Sequence, residues 1–331
     1  MNKYIIAWDL GATKCTAGLV AYDTATHVFT CEKQITLKLA QTSSLANMIE
    51  QIEAGLKLSM GDADAVCIGA AGQYQNGELI LEGVYPYPMP FAQLAKQRNW
   101  PAYAVLHDYA PVVCATFTPY MEHAANLKRL NACAINPYGR RVAAGIGTGL
   151  GLKDGVLLES GDFWLGKNEI GHIGIPTPPA ANAGALQCHH ELMRFLQTTD
   201  SVKPATFEKI LSGQGTARLH QFFYGSSTSP EDIGKKMRAG LLPELTDTFA
   251  WYAGLFVGTV QLIFMPEGGV WLTGGVALNH LEVFDSPKFL AGIHASPAYL
   301  AQRETWPIGI LCNLEHALIG CGYYAVKRLL S

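Results

Sequence analysis

The chain has 331 residues, 49% of them hydrophobic and 15% charged, which is enough apolar material and length for two domains and excludes a disordered polymer. A formal net charge of -3, with basic clusters no longer than Lys235-Lys236-Met237-Arg238 and Arg140-Arg141, argues against a nucleic-acid partner. Eight cysteines without a CxxC pair read as small buried residues of a reducing compartment, and the apolar run before Asp9 is too short for a signal peptide, so a cytoplasmic protein is expected.

In chain order, the opening predicts a strand over 4–9, a glycine-rich turn over 10–13 and a strand over 16–22, because aliphatic and β-branched residues flank the turn on both sides. That pattern is a hairpin and not a strand-to-helix unit. A helix is predicted over 43–58, with a serine at its N-cap and Leu45, Met48, Ile49, Ile52 and Leu56 at helical spacing. Residues 65–70 read as a buried strand ending in Ala71-Gly72, and 103–106 as a strand leading into His107-Asp108-Tyr109. The opening device then recurs: a strand over 142–144, a turn at Gly145-Ile146-Gly147-Thr148-Gly149, and a return over 150–158 with a turn at Lys153-Asp154-Gly155. Such self-similarity predicts duplicated lobes facing each other across a cleft. Helices are predicted over 231–239, 245–264 and 315–330, around a strand over 270–273. No charge occurs between Phe249 and Met265, yet Thr259, Gln261 and closely spaced small residues favour a buried core helix over a membrane span. The loop Pro176 to Gly184 is the nearest thing to a linker, and the Pro-rich stretch Val84 to Phe91 reads as a stiff surface segment.

Glycine-rich turns let backbone N–H groups converge on an anion, because no Cβ blocks the approach. Both hairpin tips qualify, and Thr13 and Thr148 add hydroxyl donors. Asp9, at the end of the first strand, suits a magnesium ion, which takes carboxylate oxygen together with substrate phosphates. Other nucleotide folds are disfavoured: a Rossmann turn opens a helix, whereas Gly147, Gly149 and Gly151 precede a strand, and no Walker A sequence is present.

These residues resemble the bacterial glucokinase family of the sugar-kinase, heat-shock-protein and actin superfamily, over most of the chain. Asp9-Leu10-Gly11-Ala12-Thr13 is similar to the family's first phosphate motif, followed here by Lys14, and Gly145 to Gly151 to its second. Thr273-Gly274-Gly275-Val276 resembles the adenosine motif, Glu169-Ile170-Gly171-His172 resembles G-E-G-G-H, and Phe207 to Gly213 resembles E-x-x-L-S-G. The resemblance implies an α/β, two-lobed actin-like ATPase (ribonuclease H-like) fold with an active-site cleft between the lobes. A small lobe would span 1–110 plus 314–331 and a large lobe 111–313. It implies ATP-dependent phosphorylation of a hexose, with glucose favoured. ATP phosphates would lie against Asp9, Gly11, Ala12, Thr13, Lys14, Gly147, Thr148 and Gly149, and the nucleoside against Gly274 and Gly275. Asp108, matching the family's N-D-F, is implied as general base, and His107, Asp108, Glu169, His172 and Glu208 as sugar ligands.

Three departures bear on this expectation. Ala12 replaces a glycine and Lys14 an asparagine, while His107 replaces the asparagine beside the base with a larger imidazole. The family's N-x-x-W sugar loop is absent. Lys14 and the Asn168 to His172 segment lean toward ROK sugar kinases, which leaves mannose, fructose or an amino sugar open as substrates. Those relatives carry a CxCGxxGC zinc cluster, which Cys188-His189-His190 does not reproduce, so no metal beyond magnesium is expected. A non-catalytic sugar sensor is the remaining alternative, disfavoured because no helix-turn-helix is expected ahead of the turn after Asp9. Family relatives make a homodimer the expected assembly, with neither nucleic acid nor membrane as partner.

Overall fold

A computed structural model describes residues 2–81, 83, 85–178, 183–199 and 204–331. Val84 of the Pro-rich stretch and residues 179–182 of the linker-like loop lie outside the described residues. The chain forms two compact units, residues 1–127 with 313–331 and residues 128–312.

The first unit begins with strands β1 (Asn2–Leu10), β2 (Lys14–Asp23) and β3 (Phe29–Lys38), followed by helix α1 (Leu45–Leu56). Strands β4 (Ala65–Ala70), β5 (Gly72–Gln75) and β6 (Glu78–Leu81) come next, then α2 (Phe91–Gln97), β7 (Tyr103–His107) and α3 (Tyr109–Ala115). The five-stranded sheet has the order β3-β2-β1-β4-β7. Its β1–β2 hairpin is antiparallel, as expected, and β4 and β7 run parallel to β1. β3 carries alternating half-buried and exposed residues, the signature of an outer strand with one wet face. The expected helix is α1, capped by Ser44, which accepts from the Asn47 N–H, with Leu45, Met48, Ile49, Ile52 and Leu56 all buried.

The second unit contains β8 (Leu127–Arg129), β9 (Arg141–Ile146), β10 (Leu150–Leu157) and β11 (Phe163–Leu165). Helices α4 (Ala183–Thr199), α5 (Gly213–Tyr224), α6 (Pro230–Arg238) and α7 (Pro243–Phe264) follow. Then come β12 (Gly269–Thr273), the short helices α8 (Gly275–Asn279) and α9 (Leu281–Phe284), α10 (Pro287–His294), α11 (Leu300–Arg303) and β13 (Ile308–Leu311). The six-stranded sheet runs β11-β10-β9-β12-β13-β8, so its first five strands repeat the first unit's order of an antiparallel trio followed by parallel strands. The uncharged stretch lies in α7, whose residues from Phe249 to Gln261 are mostly buried in the core of this unit. Among the described residues no helix is long and apolar enough to cross a membrane. Helix α12 (His316–Arg328) returns the chain to the first unit, where the Cys321 thiol donates to the Trp8 carbonyl at 3.6 Å.

Two expectations fail. The end of the Pro-rich stretch is core rather than surface, since Met89 and Phe91 are fully buried and Met89 bridges to Leu79. Lys153-Asp154-Gly155 is not a turn but the middle of β10, paired with Ala143, Val142 and Arg141. Lys153 and Asp154 are buried there, opposite Ala143 and Val142 of β9.

Candidate active site

In the first unit, the candidate residues gather at the carboxyl ends of the parallel strands, where α/β sheets place their ligands. Asp9 pairs with Gly69 on β4, and Ala70 pairs with His107 on β7, which sets Asp108 one residue beyond the sheet. The turn between β1 and β2 is closed by the Gly11 N–H donating to the Lys14 carbonyl at 2.9 Å, and the Leu39 N–H secures the Thr13 carbonyl at 2.9 Å. Thr13 and Lys14 are left exposed. Burial, and then the charge of Asp108, raise the Asp9 carboxyl to about 6 against the pull of Lys14. That shift marks a carboxyl withdrawn from water, with a second carboxylate beside it.

Asp108 caps α3. Its Oδ1 accepts the Tyr109 N–H at 2.9 Å and lies 3.0 Å from Nδ1 of His107. The same N–H lies 3.3 Å from that Nδ1. The helix-capping and catalytic readings of Asp108 are compatible, because only one carboxylate oxygen is engaged. Among the described residues Oδ2 has no hydrogen-bond partner.

In the second unit, the turn between β9 and β10 is fixed by the Gly147 N–H donating to the Gly149 carbonyl and by the Gly213 N–H donating to the Gly147 carbonyl, both at 2.9 Å. Glu208 reaches this turn: its Oε2 accepts the Leu150 N–H at 3.0 Å, and a Cβ at Gly149 would sit 2.7 Å from that oxygen. Its Oε1 lies 3.9 Å from Nδ1 of His172. Ser212 holds the motif together, since its hydroxyl donates to the Glu208 carbonyl at 2.8 Å and accepts the Gly215 N–H at 3.0 Å as the N-cap of α5. Gly171 packs so closely on β10 that a Cβ would overlap the Leu150 carbonyl, and this contact brings exposed Glu169 and His172 to the same edge. Gly274 has φ 97°, a conformation that favours glycine, and Gly275 N lies 3.8 Å from where a Cβ of Gly147 would be. Thus Gly147, Thr148, Gly149, Glu169, His172, Glu208, Gly274 and Gly275 form one neighbourhood, while Asp9, Gly11, Ala12, Thr13, Lys14, His107 and Asp108 form the other.

The model of the glucokinase family matches residues 6–328. The chain belongs to the glucokinase family. With that family it is a sugar kinase, an enzyme of ATP-dependent hexose phosphorylation. A glucokinase from Saccharophagus degradans is 24% identical, with 97% of each chain covered. The crystal structure of a glucokinase from an Antarctic psychrotroph superposes with a TM-score of 0.81 at 18% identity, covering 97% of this chain and 98% of the other. A ROK family glucokinase from Streptomyces griseus, in complex with glucose and AMPPNP, gives 0.58 at 18% identity, covering 96% and 97%. The shared fold is the actin-like ATPase fold of glucokinases and ROK sugar kinases.

One residue of this neighbourhood has a role that the sequence does not show. Asp154 accepts from Nδ2 of Asn168 at 3.1 Å, and its Oδ2 lies 3.8 Å from Nε of Arg140, so a buried carboxylate of β10 anchors the segment that leads into Glu169. The available signal was a charged pair inside an otherwise apolar strand, which mimicked a turn.

Proposed function

We propose that the chain transfers the γ-phosphoryl group of ATP to the primary hydroxyl of glucose, with Asp108 as general base. The carrying observation is Asp108 itself: one oxygen is held by the start of α3, the other is available to a substrate proton. As the sugar oxygen attacks phosphorus, its O–H bond breaks, the proton passes to Oδ2, the new P–O bond forms and ADP leaves. Gly11, Ala12, Thr13, Lys14, Gly147, Thr148 and Gly149 are assigned to the phosphates, and Gly274 with Gly275 to the nucleoside. The turn geometry supports this: the Gly11 and Gly147 N–H groups close the two turns, which leaves the tip residues, Ala12 with Thr13 in one and Thr148 in the other, to face a phosphate. Glu169, His172, Glu208 and His107 are assigned to sugar hydroxyls, which carboxylates and imidazoles can pair while rejecting analogues that lack them. AMPPNP and glucose in the Streptomyces griseus structure support the choice of substrates.

Magnesium fits at Asp9. Its carboxyl is raised by burial and by Asp108, an excess of negative field that a divalent cation would offset. No cluster of three or more His, Cys, Asp or Glu able to hold a metal occurs among the described residues, so Asp9 would share the ion with the phosphates and water. When bound, magnesium supplies charge neutralisation of the phosphates.

The lobes proposed are 1–110 with 314–331 and 111–313; the division of the chain into two units supports their number, while the first unit extends to residue 127 rather than 110. Cytoplasmic location, a glycolytic role and a homodimer complete the reading. His107 is the observation that keeps another hexose in view. The test is a panel of hexoses with ATP and magnesium, run on the parent and on Asp108→Asn, which keeps a capping oxygen. Glucose should give the highest kcat/KM. The variant should lose about 10²–10⁴-fold in kcat with sugar binding retained. Near-normal turnover removes Asp108 as base, and a much better hexose removes glucose as substrate.

A further inference from the structure

The turn at Gly11 to Thr13 is propped by residues far from it in the chain. The Thr13 carbonyl accepts the Leu39 N–H at 2.9 Å, and Leu39 opens a 3-10 turn, Leu39–Gln41. That second turn is closed twice on the Leu39 carbonyl, by the Thr42 N–H at 3.0 Å and by the Thr42 hydroxyl at 2.8 Å. Oγ1 of Thr42 also lies 3.0 Å from the Tyr85 hydroxyl. A carbonyl cannot donate and a threonine hydroxyl has one proton, so both contacts of Oγ1 are satisfied only when Thr42 donates to Leu39 and accepts from Tyr85. A directed chain of hydrogen bonds thus runs from Tyr85 through Thr42 and Leu39 to Thr13. We infer that Tyr85 is a positioning residue for ATP, which holds the first phosphate turn through Thr42 and Leu39.

Tyr85 belongs to the stretch that stands where the family has its N-x-x-W sugar loop, so resemblance alone would give it a sugar to bind. Its hydroxyl is turned to Thr42 instead. The ring is half-buried, packs against the core of the first unit and meets Tyr87 edge-on, with centroids 5.4 Å apart. A hydroxyl carried on so constrained a ring has little rotamer freedom left to lose when it donates. Thr42 is only 4% exposed, so water has poor access to replace Tyr85 as its donor. A second contact reaches the same turn: Gly83, at φ 104°, comes so near that a Cβ on it would sit 3.3 Å from the Ala12 methyl. Gly83 and Tyr85 therefore serve one turn, the first by close packing and the second by hydrogen bonding.

This inference rests on the assignment of the ATP phosphates to the turn at Gly11 to Thr13, and the experiment separates the two. Steady-state kinetics, with ATP varied at saturating glucose and glucose varied at saturating ATP, are measured on the parent, Tyr85→Phe, Thr42→Val and the double variant. Tyr85→Phe should raise KM for ATP about three- to tenfold, the worth of one hydrogen bond, and leave KM for glucose within about twofold of the parent. Because Tyr85 acts through Thr42, the double variant should be no worse for ATP than Thr42→Val alone. An unchanged KM for ATP in Tyr85→Phe, a change in KM for glucose instead, or effects of the two variants that multiply each overturns the positioning role. Ala12→Glu, which sets a carboxylate at the tip of the turn, tests the assignment underneath and should raise KM for ATP by more than about tenfold. Should it leave that KM unchanged, the phosphates are not at this turn; should it raise KM while Tyr85→Phe does not, only the positioning role falls. Tyr85→Phe keeps the packed ring, so the split between the two KM values stays decisive even where Thr42→Val folds poorly.

Discussion

Asp9 carries a charge in a place that resists it. Its carboxyl is raised from 3.8 to about 6, first by burial and then by Asp108. The folded chain thus binds this proton more tightly than the unfolded chain. The contribution of Asp9 to stability is largest below about pH 4, declines as pH rises through the window to about 6, and is a constant cost above it. Asp9→Asn should therefore raise the unfolding free energy from urea titration relative to the parent at pH 7.5, by about 1–3 kcal/mol in EDTA without nucleotide, and show little advantage at pH 4. Equal differences at both values would mean that the carboxyl is not raised. The same variant should be nearly inactive, which would make Asp9 a residue where stability is given up for phosphate and metal binding.

At the scale of elements, the residues of the second unit proposed to face the sugar depend on backbone contacts more than on their own side chains. Gly171→Ala would drive a Cβ into the Leu150 carbonyl and push the turn bearing Glu169 and His172 off β10. An increase of at least about tenfold in KM for glucose is expected, with kcat less affected. Ser212→Ala, by contrast, removes a helix cap and one tie to Glu208, and should lower stability by about 1 kcal/mol in a denaturant titration. A larger kinetic effect from Ser212→Ala than from Gly171→Ala would reverse this ranking. The elements that carry these motifs were largely legible in the sequence. Both hairpins, α1, β4 and α7 announce themselves by period and capping, because their burial is one-sided or complete. β3 was not anticipated, since an outer strand reading Glu32-Lys33-Gln34 has too little apolar alternation to stand out. Asp154 lies in Lys-Asp-Gly, which is turn chemistry, and its pairing with Val142 of β9 overrides that local preference. The contact of His107 with Asp108 was not legible at all: it depends on a side-chain rotation that no spacing encodes.

For the whole molecule, membership of the glucokinase family makes ligand linkage the natural global measurement. A ligand that binds only the folded state adds about 2.7 kcal/mol at a hundred times its Kd. Glucose at that excess should raise the melting temperature of the metal-free protein by several degrees, whereas a hexose that the kinetic panel finds inert should leave it unchanged. Equal shifts for both sugars would indicate a solvent effect and count against a specific sugar site. Duplication of sheet order in the two units extends the argument, because each places its glycine turn between an antiparallel pair at the corresponding point of its sheet. The closing helix has a different implication. α12 belongs to the first unit by its contacts, with its Cys321 thiol on the Trp8 carbonyl, yet it follows every residue of the second unit in the chain. On the ribosome the earliest strands must wait, one side bare, until almost everything else has been translated, so the half of the protein made first is the half finished last.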